Sequence, residues 1–304
     1  MDNILALHED LINHTYKHGG YQAFKINDPK PRDIHKAKVR DRLLHHAVYR
    51  ILYPFFDRTF ISDSYSCRLN KGSHKAIRRF RKFANKASNN NTRTCWILKC
   101  DIRKFFANID HEILMGILKE YILDKNIIDL LENIIESFHS HDKGIGLPLG
   151  NLTSQLFVNI YMNEFDQFVK HKLKAMFYIR YADDFMILSE NKKWLEDQMP
   201  VLQEFLQKEL RLEMHPDKVY IKTLSLGVDF LGWVNFFDHR VLRKSTGKRM
   251  AKRLSKTHDQ AVLSSYLGIL FHGNTEKLVQ KFFNVDFFRF LGKNRNVEEN
   301  TLGS

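Results

Sequence analysis

YIRYADDFMILS, residues 178–189, sets two adjacent aspartates, Asp183 and Asp184, inside a run that is otherwise mostly apolar, β-branched and aromatic. The flanks read as two strands and the doublet as the turn between them. Neighbouring carboxylates repel one another and lose hydration when partly buried, so a sequence that keeps them there has a cation to put between them. Aspartate is also common in solvated turns, but apolar residues on both sides make this a poor place for two solvated charges. The doublet reads as a metal site on a β-hairpin.

Upstream, CWILKCDIRKFF (95–106) alternates as a strand does and puts Ile97, Lys99 and Asp101 on one face. Asp101 then ends a strand, and three carboxylates gathered at sheet edges can hold two Mg²⁺ ions. Hard divalent cations take oxygen ligands, and Mg²⁺ is held by one or two carboxylates plus the phosphates of its substrate. Two such ions clamp the attacking and leaving oxygens of a phosphoryl transfer.

Between these strands lie a pair of amphipathic helices (110–140), a Gly/Pro-rich loop KGIGLPLGNLT (143–153) and a long helix (154–175). After the hairpin come a helix (192–210), a strand pair around LEMHPDKVYI (212–221) and the stretch GVDFLGWVNF (227–236). Strands alternating with helices in no simple βαβ order predict an α+β fold, with helices on one face of a sheet. The first ~95 residues read as basic and mostly helical. There Leu43, Leu44, Ala47, Val48, Ile51 and Leu52 share a helical face that Pro54 ends. A second basic amphipathic stretch, KGSHKAIRRFRKFANK (71–86), runs into the polar loop ASNNNTRT (87–94). Beyond about residue 240 the chain is basic and helical again, with Gly273–Asn274 as the turn between two helices.

Lys and Arg number 48 against 35 Asp and Glu, a net charge of +13, and the pI is near 9.5. That balance points to a polyanionic partner, nucleic acid before acidic membrane. No apolar run approaches the ~18–20 residues of a membrane span. The N-terminal stretch carries acidic residues where a secretory signal has a basic region, so a cytoplasmic protein is expected. Three cysteines without CxxC spacing argue against a disulfide framework. His45–His46 and His139/His141 lack a second ligand pair for zinc.

These motifs together resemble the reverse transcriptases. YADD matches the family's catalytic hairpin, CDIRKFF the motif carrying the other aspartate, and GLPLGNLTSQ (146–155) the loop and helix that contact nucleotide and template. LEMHPDKVYI matches the strand region with a lysine near the triphosphate, and FLGW (230–233) the primer-grip hairpin. RDRLLHHAV (40–48) and SYSCRLNKGSHKAI (64–77) match fingers motifs, and all occur in the expected order.

The resemblance implies a right-hand polymerase with fingers over 1–95, a palm over 96–238 and a helical thumb over 239–304. Asp101, Asp183 and Asp184 would be catalytic and, with Ile102, would hold two Mg²⁺ ions, for which Mn²⁺ can substitute. Nucleotide contacts fall to Arg68, Lys71, Phe106, Leu149, Gly150, Gln155 and Lys218, and the primer grip to Leu231, Gly232 and Trp233. Each role has a physical reading. The Phe106 ring would collide with a ribose 2′-OH and so select dNTPs. Arg68 grips a triphosphate by a fork and Lys71 as a point charge. Lys218 protonates the leaving pyrophosphate, and Gly150 lets backbone approach the nucleotide. Each position also has a plain structural reading: a core ring, a solvated basic face, a surface lysine, an ordinary loop glycine.

One departure is informative. Where the related stretch normally carries Gln before its second glycine, this chain has Leu149, and it ends in Ser154-Gln155. A branched apolar side chain penalises no particular pairing geometry. In this the chain resembles the reverse transcriptases of diversity-generating retroelements, which copy a template RNA with frequent errors opposite adenine. The partners that follow are template RNA, primer and cDNA duplex, dNTPs and a small basic oligomeric accessory protein, with no membrane. No nuclease, RNase H-like or protease segment is read, so those activities are expected from other proteins. A retron or antiphage-defence reverse transcriptase stays open as an alternative. So does a non-catalytic, maturase-like RNA-binding protein, against which the retention of all three aspartates argues.

Overall fold

The computed structural model describes residues 2–27, 31–256 and 259–283. These fall into two compact units, one formed by the chain up to Ala87 together with Trp96–Ile221, the other by Ser88–Cys95 together with the described residues from Lys222 on. None of the described helices is long and apolar enough to cross a membrane.

The first unit opens with α1 (Asp2–Ile12) and an antiparallel hairpin of β1 (Tyr21–Ile26) and β2 (Arg32–Ala37). This hairpin corrects the mostly helical reading of the N-terminal region. Its strands are largely exposed, and neither YQAFKI nor RDIHKA alternates apolar with polar residues, so no strand pattern marked them. α2 (Val39–Phe56) runs through Pro54 for two further residues, because a proline in a last, exposed turn forfeits only one backbone hydrogen bond. The buried face of α2 is Leu44, Val48, Leu52, Tyr53 and Phe56 with Asp41 and His45, while Leu43, Ala47 and Ile51 face solvent. Asp41 is accommodated there because the Tyr16 hydroxyl donates to it at 2.8 Å and the Gly19 N–H at 3.1 Å. α3 (Ser73–Ala87) buries Ala76, Ile77, Phe80, Phe83, Ala84 and Ala87.

The central sheet runs in the order β4 (Phe177–Tyr181), β5 (Asp184–Ser189), β3 (Trp96–Asp101), β6 (Tyr220–Thr223). β5 is antiparallel to both β3 and β4. Its alternation sorts two faces: Leu98, Cys100, Tyr178, Phe185 and Ile187 join the main core with residues of the helices that follow. Those helices are α4 (His111–Tyr121), α5 (Lys125–Glu136), α6 (Leu152–Gln167) and α7 (Lys192–Leu210). α4, α5 and α7 start at Asp110, Asp124 and Asn191, whose side chains accept from first-turn N–H groups. The other sheet face carries Lys99, Asp101 and Asp184. The strand pair expected around LEMHPDKVYI is instead an isolated bridge of Met214 to Ile102, a short 3₁₀ turn at Pro216–Lys218, and β6.

The second unit holds an antiparallel sheet of β7 (Val228–Phe230), β8 (Trp233–Asn235) and β9 (Arg240–Leu242). With it go α8 (Lys244–Leu254), α9 (Gln260–Leu270) and α10 (Glu276–Phe283), whose Met250, Leu270 and Val279 form a small core. Gly273 and Asn274 lie between α9 and α10, in the connection expected from sequence. Of the expected thumb, 257–258 and 284–304 lie outside the described residues.

Candidate active site

The antiparallel register sets Asp101, the last residue of β3, directly opposite Asp184, the first of β5. Tyr181 also pairs with Asp184, leaving Ala182 and Asp183 as a two-residue turn. Ala182 has a φ of 55°, a region a residue with a side chain seldom adopts. The Ile102 N–H donates to the Asp183 carbonyl at 3.1 Å, tying the turn to the end of β3. All three sequence-predicted aspartates are thus brought to one end of the sheet.

Their side chains are not equivalent. Lys99 donates to Asp184 at 2.7 Å, and Lys218 donates to Asp101 at 2.7 Å. The second oxygen of Asp184 is buried and has no hydrogen-bond partner among the described residues. Burial pushes the Asp184 carboxyl up to about 6, against the opposing pull of Lys99 and with the like charges of Asp183 and Asp101 adding to it. Burial, then the charge of Asp101, also raises Asp183, while Lys218 and Arg32 hold it down. Because Asp184 turns to Lys99 and Asp101 to Lys218, no ready-made cluster of three metal-ligating side chains forms among the described residues. The donor set still fits a hard cation: Mg²⁺-type ions need only one or two carboxylates plus substrate phosphates. An unpartnered buried carboxylate oxygen is the kind of atom such an ion satisfies.

The rest of the predicted site divides. Phe106 sits in a 3₁₀ turn (Phe105–Asn108), half-buried, with the buried Phe105 ring edge-on at 5.6 Å. The strand has ended by then, so the expected strand alternation does not operate. The Leu147 N–H donates to the Phe106 carbonyl at 2.8 Å, joining that turn to the glycine-rich loop. The His35 N–H donates to the Leu149 carbonyl at 2.9 Å, and the Asn151 amide donates to the His35 carbonyl at 2.7 Å. The β1–β2 hairpin is therefore pinned to the loop carrying Leu149 and Gly150. Gly150 has a φ of 104°, and a Cβ there would lie 2.8 Å from the Ile34 side chain, so glycine is required on both counts. Gln155 is half-buried in the first turn of α6.

Arg68 is engaged by its own chain. Its guanidinium is occupied by Asp57 at 2.7 Å and by the carbonyls of Ile61 and Ser64 at 2.6 and 3.1 Å, with 5% of the side chain exposed. These contacts pin the segment after α2. Lys71 donates to the Ser62 carbonyl and lies over the Tyr65 ring. Leu231, Gly232 and Trp233 belong to the second unit. Leu231 and Gly232, with φ of 52° and 88°, form the β7–β8 turn, and a positive φ at a leucine is backbone strain of the kind found at functional sites.

Two residues near the carboxylates had no role assigned from sequence. Lys99 was placed on the face of Asp101 without one, and Arg32 of β2 is exposed with its charge felt at Asp183. A basic residue in a polar strand gives no pattern that would single it out.

Carboxylates at the end of an antiparallel sheet, helices behind it and a glycine-rich loop beside it define a right-hand polymerase. The chain belongs to the reverse transcriptase (RNA-dependent DNA polymerase) family, whose model matches residues 24–235. It is 26% identical over 288 residues to Protein YkfC of Escherichia coli K12, covering 79% of this chain and 72% of that protein. It is 25% identical over 308 residues to the group II intron-encoded protein LtrA of Lactococcus lactis, covering 78% of this chain but only 49% of LtrA. Among solved structures, telomerase from Candida tropicalis with a fragment of telomeric RNA covers 98% of this chain and 61% of its own at TM-score 0.56 and 12% identity. At that identity the likeness is one of fold. Membership implies an RNA-directed DNA polymerase that binds template RNA and depends on divalent cations.

Proposed function

We propose that this chain copies a template RNA into cDNA in the manner of diversity-generating retroelements, with errors concentrated opposite adenine. The observation carrying the polymerase reading is the register that sets Asp101 opposite Asp184 with Asp183 beside them. Asp101, Asp183, Asp184 and the Ile102 carbonyl would hold two Mg²⁺ ions, or Mn²⁺ in their place. When bound, such ions stabilise the attacking and leaving oxygens of an in-line displacement. The primer 3′-OH attacks the α-phosphate of a dNTP and pyrophosphate leaves, with Lys218 donating the proton. Phe106 excludes the ribose 2′-OH, and Gly150 presents its backbone to the nucleotide. Fingers (1–95), palm (96–238) and thumb (239–304) hold the template and primer through phosphates, and a small basic accessory protein is a further partner.

The error-prone reading is supported by Leu149, whose carbonyl is fixed by His35 and whose half-buried side chain offers no hydrogen bond. A second reading, an accurate retron-like or intron-type enzyme, is favoured by the similarity to LtrA. Primer extension on a defined RNA template with sequencing separates them. Aspartate-dependent cDNA, abolished in Asp183→Ala, with errors opposite adenine and fewer of them in Leu149→Gln, is expected. Accurate wild-type cDNA moves the assignment to the second reading, and wild-type RNA binding without any cDNA moves it to a non-catalytic RNA-binding protein.

A further inference from the structure

Arg180, two residues before the turn, has none of its surface exposed, and neither has its partner Asp166 of α6. A guanidinium carries five N–H donors, and here each has a use. Nε and Nη2 fork onto the Asp166 carboxylate at 2.8 and 2.7 Å. Nη2 also donates to the Ser64 hydroxyl at 3.1 Å, and Nη1 to the Asn159 side-chain oxygen at 3.4 Å and the Ala182 carbonyl at 3.1 Å. The Tyr178 hydroxyl completes the Asp166 shell at 2.6 Å. Backbone bonds hold the same point: the Arg180 N–H donates to the Asp63 carbonyl, and the Tyr65 N–H to the Arg180 carbonyl.

A buried ion pair is poor evidence of stability, since apolar residues of similar volume fill such a place as well or better. Its other use is to select one geometry. The Ala182 carbonyl belongs to the planar peptide group immediately before Asp183, and the Asp183 carbonyl, in the peptide group immediately after, is held by the Ile102 N–H. Both peptide groups flanking Asp183 are therefore fixed, one by Arg180 and one by β3. Among the described residues, Arg180 is the side chain that hydrogen-bonds to the left-handed Ala182.

We infer that Arg180, oriented by Asp166, is a positioning residue for the Asp183 carboxylate, setting the turn so that Asp183 and Asp101 can share a cation. The inference rests on reading Asp183 as a metal ligand. Lysine cannot replace it, because one ammonium cannot span the fork to Asp166 and the Ala182 carbonyl together.

The test uses Arg180→Met/Asp166→Leu/Tyr178→Phe, which removes the pair and the hydroxyl at once and leaves no buried charge, together with Arg180→Lys. Thermal unfolding, Mn²⁺ binding by EPR, and kcat and KM for dNTP are measured on the full chain. Expected are a melting temperature close to wild type, Mn²⁺ binding weakened by about tenfold or more, kcat lowered by about a hundredfold and an almost unchanged KM. Wild-type Mn²⁺ affinity and kcat in the folded triple variant overturn the inference. If that variant does not fold, Arg180→Lys decides by the same readouts. A wild-type chain that binds Mn²⁺ no better than Asp183→Asn overturns the metal reading, and the inference with it, whereas tight wild-type binding that persists in the variants overturns only the positioning role.

Discussion

Asp101, Asp183 and Asp184 were legible as a set that the fold brings together, because their types and flanking residues carried the information. Lys99 was not, since its partner is a diagonal neighbour: it lies opposite Met186 in the register yet reaches Asp184 two residues away. The contacts of Arg68 were not legible either, as nothing local shows that Asp57 and the carbonyls of Ile61 and Ser64 will meet its fork. The half-buried Phe106 bears the sugar-selection prediction. Changing it to Ala should cut discrimination against rNTPs by on the order of a hundredfold in competing single-nucleotide incorporation, and unchanged discrimination places the gate elsewhere. A buried histidine gives a pH prediction. Both ring nitrogens of His45 lack hydrogen-bond partners among the described residues, and burial, then His18, pushes it from 6.5 down to about 4 despite Asp41. The folded chain thus binds fewer protons than the unfolded chain between those values. The contribution of His45 to stability is complete above pH 6.5 and falls as pH drops toward 4, by on the order of 3 kcal/mol. The loss in urea midpoint between pH 7 and 4.5 should be larger in the wild type than in His45→Leu, and equal losses would mean that His45 does not carry this dependence.

Among elements, the strongly patterned ones were readable: α4, α5, α7 and the Asp-Asp hairpin follow their apolar periodicity, whereas α6 is buried nearly all round, polar positions included. The β1–β2 hairpin was not, for it stands largely in solvent, and the exposed stripe of α2 was misassigned because Asp41 and His45 took the inward positions. In the second unit, a glycine fixes the join between elements. A Cβ on Gly273 would come within 2.0 Å of the Trp233 ring, and Trp233 is 4% exposed in β8, with the Arg240 guanidinium over the ring at 5.4 Å. The ring is buried, so it cannot swing aside without disturbing its neighbours. Gly273→Ala should therefore cost about 1–3 kcal/mol as overpacking, seen as faster proteolysis of the second unit. Wild-type resistance would mean that the connection yields instead.

At the scale of the whole molecule the governing quantity is charge. A chain of net charge +13 that handles RNA binds it largely by releasing counterions from phosphates, so affinity falls steeply with salt. Composition gives that expectation but does not say which residues carry it. α3 offers the clearest candidate: its inner face is apolar and buried, while Lys75, Arg78, Arg81, Lys82 and Lys86 are exposed along the other. Side chains three and four apart on a helix lie within about 6 Å of one another, a row that suits a phosphate backbone. The inner face packs on β4 through Phe83 and Phe177, at the opposite end of that strand from the aspartates. Its contribution should be electrostatic and indifferent to chemistry at the turn. Converting Lys75, Arg78, Lys82 and Lys86 to Gln should leave the fold intact and reduce the slope of log K against log salt for template RNA by about 3, a little under one unit for each phosphate no longer neutralised. Incorporation at saturating template–primer should hardly change. A slope equal to that of the wild type would make α3 a solvated face and shift the phosphate binding to basic residues elsewhere in the chain.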